Sequence, residues 1–120
     1  MKKILIVDDH PDIRKLIRVI IGRAYDVIEA ENGAMALDII RDQRPCLVML
    51  DIMMPGEMNG LQVLDAIRAD AALKETKVVM VTARGQAADY GAGMNRGANA
   101  YLIKPFSASQ LLDSIREFLQ

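Results

Sequence analysis

The sequence has a single cysteine, a single histidine, no tryptophan and almost no net charge. One thiol excludes an intrachain disulfide. Cys46 lies in an apolar run, so it reads as an inert core thiol. A net charge of −1 excludes a global attraction to DNA, RNA or anionic membranes. Neither direct nucleic-acid binding nor membrane association is expected. No apolar run approaches the roughly 20 residues of a membrane span. The opening Met1-Lys2-Lys3 leads into an apolar run too short for a signal peptide, with acids directly behind it. A cytoplasmic protein is expected. Linkers, repeats and low-complexity segments are missing, and so is a Walker-type phosphate loop. The glycines of residues 91–97 miss the dinucleotide spacing by one position and follow no strand.

What is present is an ordinary globular composition, 52% apolar and 26% charged over 120 residues. That length predicts one domain, residues 1–120, able to bury about 65% of its unfolded surface. Apolar runs alternate with segments of helical period. Residues 3–7, 27–30, 47–50, 77–81 and 100–103 read as strands. Pro11 suits a first helical turn, and Ile13, Leu16, Ile17, Ile20 and Ile21 continue at helical spacing up to Gly22. A second helix follows Asn32-Gly33 and ends at Arg44-Pro45. Leu61, Leu64 and Ile67 mark a third. Residues 87–96 predict a fourth, loosened by Gly91 and Gly93 at about 1 kcal/mol each. Ser107 reads as the N-cap of a fifth, which carries Leu111, Leu112, Ile115, Phe118 and Leu119. Five alternations predict an α/β fold: a flavodoxin-like (βα)5 three-layer sandwich around a parallel sheet of order 2-1-3-4-5.

Open α/β sheets place ligands at the C-terminal ends of their strands, near the switch point. Four strand ends carry chemistry here: Asp8-Asp9, Asp51, Thr82 and Lys104. Three neighbouring carboxylates resist joint ionisation, and a hard divalent cation removes the conflict. Carboxylates, a backbone carbonyl and water satisfy Mg²⁺ or Mn²⁺. Asp51 can then act as a nucleophile on phosphorus. Lys104 supplies a fixed positive charge and Thr82 a hydroxyl donor for a phosphoryl group. His10 reads as a solvent-facing loop residue, because Mg²⁺ prefers oxygen and no second histidine exists. Met53, Met54 and Met58 are core fillers or rim residues of this site.

At these residues the chain closely resembles the receiver domain of two-component response regulators. The matching pieces are Ile-Leu-Ile-Val-Asp8-Asp9, Asp51-Ile-Met-Met-Pro55, Asn59-Gly60, Val-Thr82-Ala83, Gly97-Ala98 and Tyr101-Leu-Ile-Lys104-Pro105-Phe106. The resemblance implies a phosphoacceptor, Asp51, charged by a sensor histidine kinase or phosphotransfer protein. It implies that Asp9 binds the metal directly and Asp8 mainly through water, with the Met53 backbone carbonyl as a further ligand. It assigns Thr82 and Lys104 to the phosphoryl group and Tyr101 to an aromatic switch. The reshaped face would be that of the fourth predicted helix, the fifth strand and the fifth predicted helix, which meets a downstream protein target or a second copy in a phosphorylation-dependent dimer. Such a domain is no turnover enzyme, since it promotes only its own phosphorylation and dephosphorylation.

The chain departs from the family pattern in three places. The loop after Asp51 is one residue longer than the commonest form. Asn59 stands where Asp is usual. Arg84, two residues past Thr82, occupies a variable position expected to tune phosphate lifetime. The competing readings are a phosphorylation-independent pseudo-receiver, a receiver excised from a larger regulator with an output domain, and a haloacid-dehalogenase-type phosphatase. Against the phosphatase, Met53 stands where its second acid belongs.

Overall fold

The computed structural model describes residues 1–54, 56, 58–83 and 96–119. Five parallel strands form one sheet: β1 (Lys3–Val7), β2 (Asp26–Ala30), β3 (Leu47–Asp51), β4 (Lys77–Ala83) and β5 (Ala100–Lys104). Their order is β2-β1-β3-β4-β5, as the alternating pattern predicts. Helices α1 (Pro11–Ile21), α2 (Gly33–Gln43) and α3 (Gly60–Ala69) and a C-terminal helix (Ala108–Leu119) cover it. The helix expected over residues 87–96 lies, except for Arg96, outside the described residues, and so does Arg84.

Strand side chains alternate between two cores, which is why both faces must be covered. Leu5, Val7, Val48, Leu50, Val78 and Met80 pack with Ala36, Leu37 and Ile40 of α2 and Val63, Leu64 and Ile67 of α3. Ile4, Ile6, Met49, Val79, Val81 and Leu102 pack with Ile17 and Ile21 of α1 and Leu111, Ile115 and Leu119 of the C-terminal helix. Truncating one of these fully buried leucines to alanine costs about 2–5 kcal/mol.

Local chemistry sets the helix ends. Pro11 opens α1. Asn32 accepts from the Met35 N–H at 2.8 Å and caps α2. The unusual Asn59 forms a reciprocal box with Gln62 at the start of α3, with bonds of 2.8 and 3.0 Å. Ser107 and Gln110 repeat that box ahead of the C-terminal helix, at 2.8 and 3.1 Å.

One expectation fails at the opposite edge. Cys46 is exposed and lies outside the core. Its N–H donates to the Lys3 carbonyl and its carbonyl accepts from Lys77, so the backbone is laddered there. The apolar run in the sequence therefore starts one residue before the buried strand, at the rim where a side chain meets solvent.

Candidate phosphoryl and metal site

Parallel register brings the strand ends to one line. Val7 pairs with Leu50, Asp51 with Val81, and Ala83 with Lys104. Ladder bonds run one step further, from the Asp8 N–H to the Ala30 carbonyl (3.2 Å) and from the Ile52 N–H to the Val81 carbonyl (3.1 Å). Asp8, Asp9 and Asp51 thus share one edge with Lys104.

Lys104 Nζ lies 2.9 Å from Asp8 Oδ2 and 3.3 Å from Asp51 Oδ2. The other oxygen of each acid takes a backbone donor. The His10 N–H donates to Asp8 Oδ1 at 2.9 Å, and the Met53 N–H to Asp51 Oδ1 at 3.2 Å. Asp8, Asp51 and Thr82 are buried. Asp9 is half-buried, yet its Oδ1 is shielded from solvent and has no hydrogen-bond partner among the described residues.

Among the described residues the charges are not balanced. Burial pushes the Asp51 carboxyl above its usual value, and the Asp8 charge adds to this against the pull of Lys104. At Asp8 burial acts the same way, but the His10 N–H and Lys104 outweigh it and hold the carboxyl low. Burial alone would lower Lys104, whereas Asp8 and Asp51 raise it. One ammonium therefore stabilises Asp8 and leaves Asp51 short of positive charge. A divalent cation fits this set. It would supply the missing charge and take the orphaned Asp9 oxygen as a ligand. Ligand atoms of Asp8, Asp9, His10 and Asp51 all lie within 4.8 Å of one another.

The remaining predicted residues are placed as follows. Met53 is 59% exposed at the rim, so only its backbone is held near Asp51. Met54 is a core filler of the α2/α3 side and not a rim residue, and Met58 packs against that core. Tyr101 is half-buried and packs on the same side. Gly60 abuts the Asp51 peptide: a Cβ there would sit 2.2 Å from the Asp51 carbonyl oxygen. A cavity of about 660 Å³ opens beside Asp9, lined by Glu31, Asn32, Gly33, Ala34, Gly56 and Met58.

Sequence reasoning missed the support behind the acids. Arg14 Nη1 donates to the Asp8 carbonyl at 2.7 Å, and its Nε to Glu29 Oε1 at 3.0 Å. Arg18 Nε donates to Glu29 Oε2 at 2.8 Å. The two arginines hold Glu29 below the usual carboxylate range despite its partial burial. The one signal in the sequence was the i, i+4 spacing of Arg14 and Arg18, which puts both on one helix face.

Comparison with known proteins identifies the family. The family model for the response regulator receiver domain matches residues 4–116. The DNA-binding response regulator MtrA of Mycolicibacterium smegmatis is 36% identical over 120 residues, which cover 99% of this chain and 51% of that protein. The chain thus spans about half the length of the curated relatives it matches. A putative response regulator from Chloroflexus aurantiacus superposes with a TM-score of 0.93 at 30% identity, covering 98% of this chain and 97% of that one. The receiver domain of NtrX from Brucella abortus gives 0.89 at 35% identity, covering 97% of each chain. No described helix is long and apolar enough to cross a membrane. With the family matched from the first strand to the last helix, and with acids and lysine gathered at the C-terminal sheet edge, the chain belongs to the receiver domains of two-component response regulators.

Proposed function

We propose that residues 1–120 act as one phosphoacceptor domain, with Asp51 as the acceptor and a sensor histidine kinase or phosphotransfer protein as the donor. The observation that supports this most is the pairing of Lys104 with both Asp8 and Asp51 at a buried sheet edge. An Asp51 oxygen attacks phosphorus and forms a P–O bond. The P–N bond to the donor imidazole breaks, and its electron pair stays on the departing nitrogen. Lys104 neutralises part of the incoming charge, and Thr82 offers a hydroxyl to a phosphoryl oxygen. The Met53 N–H orients the Asp51 carboxylate.

Asp9, Asp51 and the Met53 carbonyl would hold Mg²⁺ or Mn²⁺ directly, with Asp8 mainly through water. When bound, that ion offsets the repulsion between the carboxylates and the arriving phosphoryl group. The protein is a switch, not a turnover enzyme. Phosphoryl contacts with Thr82 and Lys104 favour one packing of the strand ends, and Tyr101 reports it to the β5 surface. A downstream protein, or a second copy of the domain, reads that surface together with the C-terminal helix. Arg84 tunes the lifetime of the phosphoryl group. A cytoplasmic location fits the kinase donor.

Incubation with acetyl phosphate, with and without Mg²⁺, tests the reading by intact mass. A Mg²⁺-dependent gain of one phosphoryl group, absent in Asp51→Asn, is the expected result. No gain in any condition refutes it in favour of a phosphorylation-independent interaction module.

A further inference from the structure

The residue that sets this acid cluster apart is His10. Its Nδ1 lies 3.1 Å from Asp8 Oδ1 and 3.2 Å from Asp9 Oδ1. The first contact has hydrogen-bond geometry, whereas the second leaves Asp9 Oδ1 without a hydrogen-bond partner among the described residues. Two ligands of one ion, each bonded at about 2.1 Å, stand about 3.0 Å apart along an octahedral edge and about 3.4 Å apart along a tetrahedral one. The His10–Asp9 separation of 3.2 Å falls in that interval. The imidazole is also anchored. The His10 N–H is tied to Asp8, and Pro11 starts α1 directly behind it. At 65% exposure the ring can be reached by an ion without unfolding.

We propose that His10 makes this cluster a site for borderline first-row ions, Zn²⁺ above all, that compete with Mg²⁺. The inference rests on the cluster being the metal site proposed above. Mg²⁺ gains little from nitrogen, whereas imidazole suits Zn²⁺ and its neighbours, which also bind N/O sites more tightly. The single histidine would therefore set metal preference while the carboxylates set metal binding. Phosphoryl uptake would then fall when Zn²⁺ displaces Mg²⁺.

The chain has one histidine, so its imidazole ¹⁵N signals are unambiguous. Titration of the whole chain with Zn²⁺ and, separately, with Mg²⁺ gives both affinities by calorimetry and both shifts by NMR. Zn²⁺ is expected to move the Nδ1 signal far more than Mg²⁺ does. His10→Gln is expected to lower the Zn²⁺-to-Mg²⁺ affinity ratio by about tenfold or more, at least the loss seen when a ligand's supporting partner is removed. Zn²⁺ binding with the Nδ1 signal unmoved, or an unchanged ratio in the variant, overturns the inference while leaving the Mg²⁺ site standing. If wild-type protein binds neither ion, both readings fall together.

Discussion

The two edges of the sheet treat buried charge in opposite ways. At the C-terminal edge, one ammonium pairs with two of three carboxylates, and Asp9 keeps an oxygen without a hydrogen bond among the described residues. At the N-terminal edge, the half-buried guanidinium of Arg68 donates to three neutral oxygens, each at 2.9 Å: the Gly97 carbonyl, the Thr76 carbonyl and Asn99 Oδ1. Burial lowers Arg68 somewhat, yet a guanidinium stays charged. Asn99 Oδ1 also accepts from the Val78 N–H at 2.8 Å, so β4 and β5 start from one fixed point. One edge is satisfied among the described residues and serves the fold. The other is short of positive charge, which favours a bound cation. Unsatisfied polar chemistry distinguishes the site; charge alone does not, since both edges are charged.

The sharpest test of this contrast is Asp51→Asn. Phosphoryl uptake should be lost completely by intact mass, with the fold retained by circular dichroism. Its sign on stability follows from the raised carboxyl. A folded-state value above the unfolded one gives stability below the unfolded value that is lost as pH rises through the folded one. The charged form is therefore the costly one near neutral pH, and the neutral amide should unfold no earlier than wild type. A clear fall in melting temperature would contradict the deficit.

Gly60→Ala comes next. Its Cβ would meet the Asp51 carbonyl at 2.2 Å, and backbone cannot yield as a side chain does. Overpacking of this kind costs about 1–3 kcal/mol, and uptake should slow because the Asp51 peptide is displaced. Denaturant melts and uptake rates at saturating Mg²⁺ measure the two effects. Arg68→Ala should do the reverse of Asp51→Asn: a loss of about 2 kcal/mol, because oxygens at both strand starts lose their donor, with the final phosphoryl yield unaltered. A large loss of yield in that variant would break the division between the edges.

The smallest effect concerns the clamp behind the acids. Glu29→Gln should cost about 0.5 kcal/mol near neutral pH, since the pair with Arg14 and Arg18 is only partly buried. Because Glu29 is held low, its contribution is full above the unfolded value and disappears as pH falls through the folded one. The gap between variant and wild type should narrow as pH falls below the ordinary glutamate range. Melts at several pH values give the answer.

Much of this architecture was legible in the residues. Runs such as Ile4–Val7 and Val48–Leu50 have nothing to do but be buried on two faces, and the acids ending them could lie only at the sheet's C-terminal edge. The helix starts at Pro11, Asn32 and Ser107 were legible for the same local reason. The reading failed where neighbours in space, not in sequence, decide. Cys46 belongs to the apolar run by composition but to the solvent by its place at the rim. Met53 and Met54 are identical side chains one residue apart, yet one is exposed and the other joins the α2/α3 core.

By itself, the sequence determined which groups this protein has for its chemistry and at which strand ends they stand. Periodicity and strand termini are local properties, and they survive without knowledge of the partners. Only the tertiary structure decided how those groups divide one another's charge. It set Lys104 between Asp8 and Asp51, left Asp9 Oδ1 without a hydrogen bond among the described residues, turned His10 onto the acids and tied Arg14 to the Asp8 carbonyl. Each of those contacts depends on distances of a few ångströms between chain segments, and electrostatics at that range follows from packing, not from spacing along the chain.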